Sequence, residues 1–200
     1  MINHKHKCIF IHIPRTAGTS IELGISGAPN NSHHYKYKHL IASYAKEIYA
    51  KYWDDYFKFS FIRNPWSRIV SMNKFPNFYG VKMHNGKIDI SGYHKKFNEF
   101  ELDPRTNCDS IEVGSPIPNS VYLNILNEKL DFIGKFENKE QDYAYVCDQI
   151  GLQNTKFPLW DVNRSSRSKH YTEYYDNETR ELVAEKYAKD IEYFGYKFGQ

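Results

Sequence analysis

Polarity along the first twenty residues changes in one step. Met1–Lys7 is mostly polar, and Cys8-Ile9-Phe10-Ile11-His12-Ile13 is then a near-continuous apolar run. A short run of this kind, rich in β-branched residues, predicts a strand buried on both faces of a parallel sheet. Pro14 has no N–H to give and ends the ladder. Arg15–Ser20 is a loop of small and hydroxyl residues, and Ile21-Glu22-Leu23 starts a helix that Thr19 or Ser20 can cap. Helical spacing returns at Ile41, Tyr44, Ala45, Ile48 and Tyr52, predicting a helix over Leu40–Trp53. Phe57–Ile62 reads as a second strand, and Pro65 opens a helix that reaches Lys74. Leu130–Gly134 is a third strand candidate. Asn138 can cap a helix through Ile150, with Gln141 in the capping-box position and Gly151 as its stop. A last helix spans about Asn177–Lys189, with Val183, Tyr187 and Ile191 on one face. Strands alternating with helices predict an α/β fold of three layers around a mainly parallel sheet.

Three stretches lack this periodicity. Gly24–Lys38 is polar and turn-rich, 75–118 is broken by prolines and glycines apart from a helical patch near Tyr93–Phe100, and Gln153–Lys169 ends in a cluster of basic and hydroxyl residues. No repeat or linker divides the chain, so its 200 residues form one domain, long enough to bury a core.

The first strand, its loop and the helix start together make an anion site. Free N–H groups and the positive end of the helix dipole converge there, and Arg15 and the hydroxyls of Thr16, Thr19 and Ser20 add donors. An ordinary strand–turn–helix is the alternative for this stretch alone. The second strand runs into Arg63-Asn64-Pro65-Trp66-Ser67-Arg68-Ile69-Val70-Ser71. That puts Arg63 at the strand's carboxyl end, the edge where ligands of open parallel sheets bind, and Ser71 two turns into the helix.

HIPRTAGTS followed by FIRNPWSRIVS resembles the two phosphate-binding motifs of the sulfotransferases that use 3′-phosphoadenosine 5′-phosphosulfate, and is most similar to their carbohydrate branch. FIGKFEN at 132–138 and the segment from His170 to Phe198 extend the resemblance; it is weak over about 74–118. It implies a three-layer, P-loop-like fold, with Arg15, Thr16, Ala17, Gly18, Thr19 and Ser20 on the 5′-phosphosulfate and Arg63 and Ser71 on the 3′-phosphate. Arg68 is a weaker candidate there and is expected on a solvated helix face. Residues 75–118 become an acceptor-binding insertion. The reaction implied is transfer of a sulfonyl group to a hydroxyl, on a glycan or saccharide, without a metal. Arg15 stands where the family usually carries Lys; either cation can stabilise the leaving oxygen, but Arg does not serve as a proton donor.

An acceptor hydroxyl needs a general base, and His suits neutral pH. Of nine histidines, His39 occupies a position resembling the catalytic His of some carbohydrate sulfotransferases. His34, His33, His12 and Glu22 are its rivals. His33, His34 and His39 lack a Cys or carboxylate to complete a metal site.

Composition narrows the picture little further. A net charge of +3 suits a polyanionic ligand without requiring nucleic acid. Cys8, Cys108 and Cys147 are an odd number without metal-ligand spacing and read as reduced packing residues. No run has the length of a membrane span, and the first apolar run is cut short by His12 and Pro14, so a cytoplasmic protein is expected. Aromatics make up 16% of the chain; Trp66, Phe75, Phe78, Tyr79 and Trp160 can stack on sugars or fill the core. Two other readings remain. A nucleotide kinase would need GxxxxGK[ST], and the first loop has no Lys before Thr19. A non-catalytic module binding the desulfonated nucleotide or an anionic glycan would differ only in turnover.

Overall fold

The computed structural model of the chain describes residues 1–27, 38–93, 117–158 and 169–200. Strand β1 (Ile2–Asn3) turns back antiparallel onto β2 (Cys8–Ile11), which leads through the Pro14–Ala17 loop into helix α1 (Gly18–Ser26). Helices α2 (Ala42–Ile48) and α3 (Ala50–Trp53) precede β3 (Phe57–Ile62), and α4 (Pro65–Met72) follows it. A short helix α5 (Pro76–Tyr79) and the hairpin β4 (Lys82–His84) and β5 (Lys87–Asp89) come next. Then α6 (Tyr122–Ile125), β6 (Phe132–Lys135), α7 (Lys139–Gln149), α8 (Asn177–Lys186) and α9 (Ala188–Phe194) complete the described chain.

The central sheet has the order β1-β2-β3-β6. β2 pairs with β3 in parallel, Phe10 opposite Phe59, and β3 pairs with β6 in parallel, Phe61 opposite Gly134. The mainly parallel α/β sheet expected from the pattern is therefore present. Every residue of β2 is buried, because alternate side chains serve different cores. Ile9 and Ile11 join Leu40, Ala45, Trp53, Ile69, Val70 and Val183 on one face. Cys8 and Phe10 join Ile21, Ile25, Phe59, Phe61, Tyr143 and Val146 on the other. At Gly134 a side chain would overlap the Phe61 ring, so the glycine lets β6 close on β3. Cys8 and Cys147 are buried free thiols, as expected of packing residues; Cys108 lies outside the described residues.

Several boundaries differ from expectation. Helix α1 begins at Gly18, with Ala17 in the cap position and no side-chain cap, so neither Thr19 nor Ser20 caps it. The Leu40–Trp53 helix is two helices broken at Tyr49, and the C-terminal helix is broken at Tyr187. Asn138 is at the start of α7, but its side chain makes no capping bond. A 3₁₀ turn, Phe136–Asn138, feeds directly into the helix, so the backbone is already wound before the cap. Gly151 does end α7, at φ 65°. The third strand lies one to two residues later than expected, and β1, too short for a pattern signal, was not expected. The helical patch near Tyr93–Phe100 lies almost wholly outside the described residues.

Candidate functional site

Because β2, β3 and β6 are parallel, their carboxyl ends open on one edge of the sheet, and Pro14–Ala17, Arg63–Asn64 and Phe136–Glu137 meet there. The first loop is tightly wound. Arg15 and Ala17 have φ of 68° and 69°, a left-handed conformation that costs a non-glycine residue roughly 1–2 kcal/mol. The Thr16 hydroxyl between them donates inward to the Ile13 carbonyl at 2.7 Å and closes the loop, which leaves the backbone to face a ligand. The Ser20 and Ile21 amides bond back to the Ala17 carbonyl. The Gly18 and Thr19 amides have no backbone acceptor among the described residues, so they form the orphan donors of a helix N-terminus.

Two arginines border this opening. Arg15 Nε donates to Ser71 Oγ at 3.3 Å, and its guanidinium lies 5.0 Å from the centre of the Phe75 ring. Arg63 forks onto Ser67 Oγ at 3.0 and 2.8 Å, reaches the Arg15 carbonyl at 3.4 Å and rests 4.2 Å from the Phe136 ring centre. Ser71 donates to the Arg68 carbonyl at 2.6 Å. The two sequence motifs are thus cross-linked through their own side chains. Asn64 anchors the second: its N–H donates to Glu137, its Nδ2 to the Lys197 carbonyl, and its Oδ1 accepts from Ser67 N–H. The likeness seen in FIGKFEN and near the C-terminus therefore falls on segments that brace this loop. Arg68 is fully buried, not on a solvated face. Helix α4 is covered all round, so Arg68 turns inward to donate to the Pro14 carbonyl at 2.9 Å and to Tyr187 at 2.7 Å.

Beside the first loop lies a histidine–carboxylate cluster. His12 Nδ1 donates to Glu22 Oε1 at 2.8 Å, and Lys38 Nζ is 3.6 Å from Glu22 Oε2. Burial opposes ionisation of Glu22, but His12 and Lys38 outweigh it and hold the carboxyl at about 2. Burial also lowers the His12 pKa, against the pull of Glu22. His39 packs edge-on against His12, ring centres 4.5 Å apart. Its Nδ1 lies 3.1 Å from the His12 carbonyl. A carbonyl only accepts, so Nδ1 carries the proton and Nε2 the lone pair. Burial, followed by the neighbouring His12, pushes the His39 pKa well below the ordinary histidine value. A neutral imidazole with an acceptor nitrogen is the form a general base needs.

Cluster and loop meet at Gly18, where a Cβ would overlap the His12 ring. Gly18→Ala is expected to cost roughly 1–3 kcal/mol through overpacking and to tilt His12 and the His39 it carries. Its melting temperature and turnover should fall together; an unshifted melting point would show that the ring has room to move.

His39, His12 and Glu22 are thus brought together, as are Arg15, Arg63 and Ser71. His33, His34 and Trp160 lie outside the described residues, and so does the Phe78 side chain. Trp66 and Tyr79 are core, while Phe75 is 44% exposed. Sequence reasoning missed Ser67, Phe136 and Lys38. Arg63 precedes the cap of α4 and Ser67 lies in its first turn, so no helical spacing rule links them, and Phe136 and Lys38 reach the site by tertiary contact alone. Among the described residues no group of His, Cys, Asp or Glu is arranged to hold a metal, and no helix is long and apolar enough to cross a membrane.

One edge of the α/β sheet thus joins a tightly wound loop, two arginines and a histidine–carboxylate cluster. A family model described as "Sulfotransferase family" matches residues 1–197, and the chain belongs to that family. It is 30% identical to human carbohydrate sulfotransferase 9 over 95% of this chain and 47% of that one. It is 26% identical to carbohydrate sulfotransferase 11 of Mus musculus (98% and 66%) and 26% identical to carbohydrate sulfotransferase 14 of Danio rerio (98% and 61%). The chain thus spans about half to two thirds of the length of these relatives.

Proposed function

We propose that this chain transfers a sulfonyl group from 3′-phosphoadenosine 5′-phosphosulfate to a carbohydrate hydroxyl, on a three-layer P-loop-like scaffold. The observation that carries this is the joining of the two motifs: Arg63 bonds the Arg15 carbonyl, and Arg15 bonds Ser71. A nucleotide with phosphates at both ends meets one cation from each loop. Arg15, the Gly18 and Thr19 amides and the Thr19 and Ser20 hydroxyls take the 5′-phosphosulfate; Thr16 shapes the loop. Arg63 and Ser71 take the 3′-phosphate. His39 Nε2 removes the acceptor proton as the acceptor oxygen attacks sulfur. The bond from sulfur to the bridging oxygen breaks, and its electron pair stays on the 5′-phosphate, which Arg15 stabilises. The products are a sulfate ester and adenosine 3′,5′-bisphosphate. The carbohydrate acceptor is inferred from the relatives' names, and residues 75–118 are proposed to help hold it.

Calorimetry tests the donor assignment. Adenosine 3′,5′-bisphosphate should bind much more tightly than AMP. Arg63→Ala should erase most of the difference, about 1.5–3 kcal/mol for a charged hydrogen bond, or about 10- to 150-fold. Equal affinity of the parent protein for the two nucleotides would rule out the 3′-phosphate grip.

A further inference from the structure

We propose that Arg68 is the positioning residue that holds the two phosphate-gripping loops in register, and so sets the preference for a nucleotide carrying both phosphates. The inference rests on the donor reading above.

The two phosphates of such a ligand are a fixed distance apart, but their grips sit on separate loops. Both act at once only if the loops keep matching positions, because the second contact is then effectively intramolecular. Arg68 is placed to impose that match. Its Nε donates to the Pro14 carbonyl, at the entry to the first loop, at 2.9 Å. Its Nη1 donates to the Tyr187 hydroxyl at 2.7 Å, and its guanidinium lies 5.7 Å from the Tyr122 ring centre. Tyr122 in turn donates to the Arg63 carbonyl, at the second loop. The Tyr122 and Tyr187 rings meet edge to face at 5.5 Å, and Tyr93 closes the back of the cluster 3.3 Å from the Tyr187 hydroxyl.

One buried side chain thus touches the first loop directly and the second through a single tyrosine. Its own backbone belongs to the second motif, since Arg68 N–H bonds the Asn64 carbonyl at 2.8 Å and the Arg68 carbonyl accepts from Ser71. An apolar side chain could fill this space without the desolvation that a buried cation requires. What the guanidinium adds is a rigid fork that fixes directions.

The test uses adenosine 5′-monophosphate, adenosine 3′-monophosphate and adenosine 3′,5′-bisphosphate as calorimetric probes. They are titrated against the parent, Arg68→Lys and Tyr187→Phe, with melting temperatures alongside. Arg68→Lys should lose about tenfold or more in bisphosphate affinity, while each monophosphate changes by less than about threefold. Tyr187→Phe keeps the arginine and removes only the phenol that orients it, so it should show the same pattern to a smaller degree, and it decides the matter if Arg68→Lys fails to fold. An unchanged bisphosphate affinity in a folded variant overturns the proposal. So does a parallel fall for all three nucleotides, the mark of general damage. A parent that binds the bisphosphate no better than the 5′-monophosphate instead removes the donor reading itself, and the inference with it.

Discussion

Replacing His39 by alanine is expected to leave binding of adenosine 3′,5′-bisphosphate nearly unchanged while turnover falls by about 10²–10⁴-fold, the usual contribution of a positioned acid–base group. The phosphate grips belong to other elements, whereas His39 alone in the cluster pairs Nδ1 with a backbone carbonyl. That contact leaves Nε2 as the acceptor. The pH dependence is a sharper test. The His39 pKa is held well below its ordinary value, by burial first. The acid limb of kcat/KM, which reports the free enzyme, should therefore lie below about 6.5, and His39→Ala should lack it. Stability, unlike kcat/KM, already changes between that limb and the ordinary histidine value. Folded His39 and His12 resist protons that the unfolded chain takes up below about 6.5, so stability falls as pH drops there. Glu22 works at lower pH: its folded pKa is about 2, so its stabilising contribution is full above the ordinary carboxylate range and is lost as pH falls toward 2. A melting temperature that declines below pH 6 while kcat/KM holds would match both parts. A folded, nucleotide-binding His39→Ala protein with near-parental turnover would remove His39 as the base, and His12 and Glu22 would be next.

The legible part of this protein is the part that local chemistry writes into adjacent residues. The run Cys8–Ile13 reads as a buried strand, since it is strand-length, apolar at five of six positions and rich in β-branching, although β2 already ends at Ile11, before Pro14. The same reasoning placed β3, and with it Arg63 at the sheet edge. Arg68 could not be read in this way. Its neighbours give α4 an amphipathic look, yet the C-terminal segment and the Tyr122 region cover the face that would otherwise meet solvent. Burial there is decided by residues more than fifty positions away. The start of α1 was misplaced for a related reason. A side-chain cap is a local signal, but this helix uses none: Ala17 turns in the left-handed conformation and hands its carbonyl to the Ser20 and Ile21 amides. Leaving the N-terminus uncapped keeps the Gly18 and Thr19 donors available for an anion, so the local rule fails where the proposed chemistry needs it to. His12 and Glu22 are ten positions apart and look like rivals in the sequence; in the fold they are one pair that carries His39 on its backbone.

Arg15→Ala is expected to lower kcat by about 10²–10³-fold, the usual effect of removing one group that stabilises charge on the reacting oxygen. The affinity for the intact phosphosulfate donor should fall much less, because the negative charge on the bridging oxygen develops only as the bond to sulfur breaks. Arg15→Lys and Arg15→Gln separate the parts of this effect. Lysine restores a point charge but not the Nε contact to Ser71 or the flat packing on Phe75. If the cation itself stabilises departure, Arg15→Lys should keep kcat within about tenfold of the parent. Arg15→Gln retains a donor without the charge and should resemble alanine. All three variants keep a Cβ at φ 68°, so loop strain is held constant across the series. A glutamine variant as active as the lysine variant would show that hydrogen bonding, not charge, supports the leaving group. An alanine variant within threefold of the parent would move the leaving-group role away from Arg15 to the Gly18 and Thr19 amides at the helix N-terminus.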